Sequence, residues 1–508
     1  MDTNIKSTVL EVSSDIFSGE SVVPAENDLI VPDNMPDILS ILQISANCAI
    51  SACDAQNDRI LLTGNVFFNI LYLADTPRRE VKAINTKAVF SNIFSAPGVN
   101  ENLPVSSKAV VSGVSFKLAN CRKLAVHADV LGSVSVSGNS QLSIPTEIEG
   151  AEILTSPLTC SVIKARGTAQ ETVTDSFELP ASKVQIAEIL RDEVRLSDKA
   201  VKVIHNKAIV KGSVTVTVLY SSEAGIEQAK TDIPFTKVVN VEGLEDSMDV
   251  DCTIDIQGWE TALSADENGE QRVIDVETML YFSVIGRETD TCSAITDAYL
   301  PGGRLDCDRS GLSLTTPPIS DVEECAVKGS VRVPSDQGDI ESVLDIKGCP
   351  RIIRVSREES ELIIEGVVTI SLLFRTNNPE TPVGSFSSDV DFRHSLNGEN
   401  FAILPMAEAD LKHMNCSIGS GNTIEIRGLA TVTLTSSAPL ERSVITAVRV
   451  GEEEKREAPS ILISYIAGDR SLWDIAKKYN ISRAKLMAAN DISSEDELKT
   501  RKALVIPR

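Results

Sequence analysis

Histidine is scarce in this 508-residue chain, with only His127, His205, His394 and His413. None stands in an H-E-x-x-H pattern or beside a second histidine at ligand spacing, which excludes the familiar zinc-hydrolase arrangement. A G-x-x-x-x-G-K-[ST] loop is missing, so no nucleotide site of the P-loop kind is expected. A G-x-S-x-G nucleophile elbow is missing too. The Asp266-Glu267-Asn268-Gly269 turn lacks the spacing and terminal Glu of a calcium loop. The ten cysteines are scattered and form no C-x-x-C pair. They read as reduced, small, buried apolar side chains and not as metal ligands or a disulfide framework. No catalytic set and no cofactor are expected, so the chain reads as a non-enzyme.

Long apolar runs are missing as well. No stretch reaches the roughly 18 apolar residues that a membrane-spanning helix needs. The polar start, Met1-Asp2-Thr3-Asn4-Ile5-Lys6, has no apolar signal core, so the expectation is an unsecreted protein. Positive charge is short: the net charge is −25. Phosphate backbones would be repelled by most of such a surface, which argues against nucleic acid as a partner. The shortage is uneven. Residues 461–508 carry 9 Lys/Arg against 6 Asp/Glu, a net of +3, and the rest carries −28. Attraction to an acidic partner must therefore go through the C-terminal segment.

That segment is also the one with strong helical periodicity. Ile463-Ser464-Tyr465-Ile466 alternates as a strand does. Leu472, Ile475, Ala476 and Tyr479 then fall on one helical face. Asn480 tolerates the left-handed position that ends a helix. Ser482 can cap a second helix, Arg483 to Ala489, with Leu486 and Met487 turned inward. Asn490 ends it, and Ala503 to Pro507 gives a closing strand. The result is a βααβ unit.

This stretch resembles a LysM domain. The signature helix stands as Leu472-Trp473-Asp474-Ile475-Ala476-Lys477-Lys478-Tyr479, the end of the second as Leu486-Met487-Ala488-Ala489-Asn490, and the last strand as Leu504-Val505-Ile506-Pro507. The resemblance implies binding of N-acetylglucosamine glycans such as peptidoglycan, in a groove between two loops. Here those loops depart from the pattern. The usual G-D-T-L-W becomes Gly468-Asp469-Arg470-Ser471-Leu472-Trp473, and the usual P-G-Q becomes Thr500-Arg501-Lys502. Loss of that glycine removes easy access to positive φ and changes the groove wall. Two long cations suit an acidic protein better than a neutral sugar. The groove candidates are Asp469, Arg470, Ser471, Asn490, Asp491, Ile492, Arg501 and Lys502, and Trp473 is expected in the module's own core.

The remainder repeats itself. Pro32, Pro180 and Pro334 each precede Gly64, Gly212 and Gly366 by 32 residues. Ile41-Leu42, Ile189-Leu190 and Val343-Leu344 match between them, and Leu71-Tyr72, Leu219-Tyr220 and Leu373-Phe374 match after them. A period near 150 indicates three tandem domains and not a solenoid. Each copy alternates as β-strands do. An interior strand glycine suggests a kink where the strand crosses between two sheets. A second hairpin follows in each copy: 110–118 with 124–136, 252–263 with 272–285, and 410–418 with 423–435. Segments 140–167, 290–322 and 439–460, rich in Ser, Thr, Pro, Gly and charge, read as separators.

The fold class expected is therefore mainly β: three tandem antiparallel β-sandwich or barrel-like modules plus a small C-terminal βααβ domain. The boundaries are 1–140 with an N-terminal extension, 168–290, 323–438, a charged linker over 439–460, and 461–508. The motif Ile30-Val31-Pro32-Asp33-Asn34-Met35-Pro36-Asp37-Ile38-Leu39 is similar to the opening of SPOCS-type domains of bacterial endospore coat proteins. The later copies keep Leu179-Pro180, Val333-Pro334-Ser335-Asp336 and Asp339-Ile340. Several such domains with one terminal LysM domain resemble the clostridial spore-coat morphogenetic family. The resemblance implies a scaffold in the mother-cell cytoplasm, at the forespore surface. Its implied partner is a coat morphogenetic ATPase or another coat protein. The alternative is a peptidoglycan-binding protein of the cortex or cell wall.

Overall fold

The computed structural model describes residues 5–315, 319–401, 403–436, 439–451, 462–465, 471–494, 497 and 503–507. The first repeat holds β1 (Ile5–Ile30), β2 (Ile38–Gln56), β3 (Arg59–Ala74), β4 (Val81–Ser95), β5 (Val105–Asn120) and β6 (Lys123–Ile148). The second holds β7 (Glu152–Glu178), β8 (Glu188–Ile204), β9 (Lys207–Ser222), β10 (Gly225–Asn240), β11 (Asp249–Ala265) and β12 (Gln271–Tyr299). The third holds β13 (Arg304–Thr315), β14 (Ile319–Arg332), β15 (Ile340–Glu358), β16 (Glu361–Thr376), β17 (Val383–Asn397), β18 (Met406–Ile418), β19 (Thr423–Ser436) and β20 (Pro439–Gly451).

Each repeat is a sandwich of two three-stranded antiparallel sheets. In the first, β2-β3-β4 faces β1-β6-β5. Alternation on β3 (Ile60, Leu62, Val66, Phe68, Ile70) and β6 (Leu124, Val126, Ala128, Val130) fills the space between them. The hairpins read from the sequence are β5–β6, β11–β12 and β18–β19.

The interior glycines do not kink their strands. Gly64, Gly212 and Gly366 lie opposite Phe90, Phe235 and Phe392 on the next strand. A Cβ at each would come within 3.0 Å of that ring. The glycine exists so that an aromatic ring can lie across the strand, while the bulge falls on the other neighbour, between Ile50 and Ala52 in the first repeat.

The three sandwiches close a ring. One face of each sheet leans on the next repeat: Lys82 pairs with Glu188 at 2.8 Å, Gln228 donates to Asp345 at 3.3 Å, and the Ser385 hydroxyl donates to the Leu42 carbonyl. Gln228 and Ser385 hold corresponding places on β10 and β17, and Lys82 lies one residue from that place on β4, so the contact is head-to-tail and returns on itself. The repeated leucines meet at its centre. Leu71, Leu219 and Leu373 pack with Leu42, Leu190 and Leu344, and each of the latter is the extra residue of a bulge. The bulge re-aims that side chain from the sandwich to the axis.

Directly after each bulged leucine come Gln43, Arg191 and Asp345. Arg191 donates to Gln43 at 2.9 Å and pairs with Asp345. Glu193 and Lys347, two residues further, pair at 2.5 Å.

The stretches expected to be separators are strands instead. Val12 to Ile5 pairs with Ser140 to Ile148, 152–163 with 287–299, and β13 with β20. These three two-stranded ribbons pack on one another through Leu10, Val12, Ile144, Leu158, Cys160 and Val162, and further out through Ile148, Ile295, Ala298 and Ile445. The N-terminal extension is thus the edge strand of the first sandwich and half of a ribbon. The linker expected over 439–460 is strand as far as Gly451, and 452–460 lie outside the described residues. Only one face of so thin a bundle is buried, so Ser and Thr dominate the other and mimic a loop composition.

Candidate functional site: the C-terminal module and its seat

The C-terminal module consists of β21 (Leu462–Tyr465), α1 (Leu472–Lys478), α2 (Arg483–Ala489) and β22 (Ala503–Ile506). β21 and β22 pair antiparallel. Leu472, Ile475, Ala476, Leu486, Ile492, Leu504 and Ile506 form its core. Ser471 and Ser482 cap the helices, and Asn480 is left-handed at φ 52°.

The module sits on the outer end of the ribbon bundle. A bulge between Ile295 and Asp297 in β12 turns the Asp297 carboxylate upward. It accepts from the Trp473 indole at 2.9 Å and pairs with Lys477 at 2.5 Å and Arg309 at 2.6 Å. Burial alone would raise its pKa, but the hydrogen bonds from Lys477 and Trp473 outweigh it and hold Asp297 below the ordinary carboxylate range. Tyr299, two residues on, packs edge-on against Trp473 with ring centroids 5.0 Å apart, and its hydroxyl donates to the Ile481 carbonyl at 3.0 Å. Burial pushes the Tyr299 phenol up to about 12. Asn480 donates to the Gly303 carbonyl at 2.7 Å and accepts from the Gly302 amide at 3.0 Å. Arg483 pairs with Glu152 of β7 at 2.8 Å and lies over the Trp473 ring.

Trp473 is therefore buried, as expected, but it is shared between the module and its seat. The seat residues Asp297, Tyr299 and Glu152 were not legible, because nothing in the chain links them to partners more than 170 residues away.

The groove candidates fall at the other end of the helices. Ser471 completes a capping box with Asp474. Asn490 is buried, and its amide bonds to the Leu486 and Val505 carbonyls and accepts from the Val505 amide. Ile492 is core. Asp491 is exposed, at φ 48°. Asp469, Arg470, Arg501 and Lys502 lie outside the described residues. The seat grips the α1–α2 turn, and exposed Asp491 lies at the opposite end of the helices. Exposed Ile463 and Val505 form a cross-strand apolar pair on the module's sheet.

Among the described residues no group of three His, Cys, Asp or Glu is placed to hold a metal ion. Among the described residues no helix is long and apolar enough to cross a membrane.

Residues 37–119, 185–264 and 339–419 match the family model described as "SipL, SPOCS domain", and residues 466–507 match the LysM domain model. Comparison with curated proteins and with solved structures gave no match. Each SPOCS segment runs from the start of the three-stranded meander through the strand after it. The two strands that build each ribbon lie outside it.

Proposed function

We propose, for a chain that carries three SPOCS domains of the SipL type and a C-terminal LysM domain, that it is a non-enzymatic scaffold of endospore coat assembly. The LysM domain is its partner-binding end, and a coat morphogenetic ATPase or another acidic coat protein is the partner. One observation carries this reading: the module is locked by its α1–α2 turn through Trp473, Asp297 and Arg483, so its opposite end is displayed at a fixed orientation. A targeting domain on a loose tether needs no such lock, whereas a scaffold that must place its partner relative to the ring does. The positive balance of residues 461–508 suits an acidic protein surface.

The competing reading is peptidoglycan binding, which LysM domains suggest. The two separate in one experiment, in which the full chain is mixed with the purified coat ATPase and, in parallel, with insoluble peptidoglycan. Capture of the ATPase without sedimentation on the glycan is the expected result. Sedimentation without capture would overturn the proposal in favour of the glycan.

A further inference from the structure

Where the first sandwich meets the ribbons of the second repeat lies a concavity of about 340 Å³. Leu103, Pro104 and Ile163 give it apolar lining, and Asn139, Lys164 and Arg166 give it polar lining. The charges here are unevenly paired. Lys164 is paired with Glu11, which also accepts from the Asn139 amide at 3.1 Å. Asp15, nearby on β1, accepts from the Ser137 hydroxyl at 2.9 Å. Arg166 is half-buried, and among the described residues it makes no ion pair. Its one hydrogen bond donates to the Ser137 carbonyl at 3.3 Å, although a guanidinium has five N–H donors.

A second guanidinium aggravates this. Burial first, and then Arg287 on β12, pushes the Arg166 pKa down. Arg287 itself has only Asp251, at 3.9 Å. Two neighbouring guanidiniums with one carboxylate between them, and that one on the Arg287 side, leave Arg166 uncompensated unless something answers it.

The fold does not require either arginine. Arg166 lies opposite Ile285; the corresponding pairs are Ser18 with Ser135 in the first repeat and Ser320 with Thr435 in the third. Arg287 corresponds to Ser137 of the first repeat. The positive pair is peculiar to the second repeat, and Arg166 lines the concavity.

We infer that this concavity binds a phosphate group, free or at the end of a small phosphomonoester, with the Arg166 guanidinium as its forked ligand and Arg287 and Lys164 supplying charge. A planar guanidinium presents two parallel N–H groups to such an oxyanion. The apolar lining leaves room for a small organic body behind the phosphate.

The test uses the full chain, with inorganic phosphate and phenyl phosphate as probes, by calorimetric titration and by thermal melting against chloride at equal ionic strength. The wild-type protein should bind phosphate in the millimolar range or tighter, and should melt higher with it. Tighter binding of phenyl phosphate would identify an organic phosphate as the natural occupant, and equal binding would identify the free ion. R166S installs the residue of the other two repeats; it should melt normally in chloride and bind at least tenfold more weakly. Should R166S not fold, R166K is read instead, with the same loss expected because a point charge replaces the fork. Absence of binding to the wild type, or undiminished binding to the variant that folds, would overturn the inference.

Discussion

Arg191 and Asp345 hold the same place in consecutive repeats, carry opposite charge, and pair with each other on the axis of the ring. Both are 5% exposed, and the third corresponding residue, Gln43, is neutral and accepts from Arg191. Three different residues at one repeated position make the three interfaces inequivalent. Glu193 and Lys347 repeat the device on the same side, where the first repeat has Ser45.

Breaking this pair exposes an uncompensated buried charge, which costs about 3–5 kcal/mol. Arg191→Asp and Asp345→Arg should each lower stability by that amount in urea unfolding. The double swap should recover a substantial part of it, as a positive coupling energy in the double-mutant cycle. Strict additivity would show that the pair does not hold the repeats together.

Acid should act on the same side of the ring. Burial would raise the pKa of Glu193, but Lys347 and Arg195 hold it at about 2. A carboxyl depressed in the folded state stabilises above its ordinary value of 4.5 and loses that contribution as pH falls towards 2. Glu193→Gln should remove this part of the acid sensitivity, so its stability should differ from wild type at neutral pH and converge with it near pH 2.

The C-terminal module should come off its seat under related conditions. Asp297 is also depressed, so the docked state is favoured above the ordinary value of 3.8 and weakens as pH drops through and below it. In a Trp259→Phe background Trp473 is the single tryptophan. Its emission should shift to the red on acidification. Asp297→Asn should produce that shift at neutral pH, at a cost of about 2 kcal/mol in docking, the low end for a charged hydrogen-bond hub.

Gly64→Ala, Gly212→Ala and Gly366→Ala should each destabilise by about 1–3 kcal/mol through overpacking against the facing phenylalanine. Gly64→Ala combined with Phe90→Leu should cost less than the sum of the two. A full penalty in the double variant would mean that the backbone carbonyl of Ala49, also within 3.0 Å of the added carbon, is the obstacle.

Arg501→Ala with Lys502→Ala should weaken capture of the coat ATPase several-fold, with thermal stability unchanged. Unaltered capture would move the contact elsewhere on the module.

The second hairpin of each sandwich and the caps of the C-terminal helices were legible, because alternation and capping chemistry act over a few residues. Leu71, Leu219 and Leu373 were visible as a repeat, but their purpose was not. Alternation tells which face a side chain takes and cannot tell whether that face meets water or a neighbouring domain. The ribbons were misread for the complementary reason: strands such as 140–148 bury one narrow side and look like spacers. Gly64 pointed to a kink when only its own strand was considered; the Phe90 ring that demands it arrives 26 positions later. Asp297 gave no local sign of its role, since its partners Trp473 and Lys477 lie in another domain.

The ribbons also impose a timetable on synthesis. β1 leaves the ribosome long before its partner strand, which is complete only at Ile148, and β13 must wait for β20 to finish at Gly451. The platform beneath the last domain thus reaches its final form only as that domain is being translated. A polypeptide that stops before Gly451 lacks the β13–β20 ribbon and carries no finished platform.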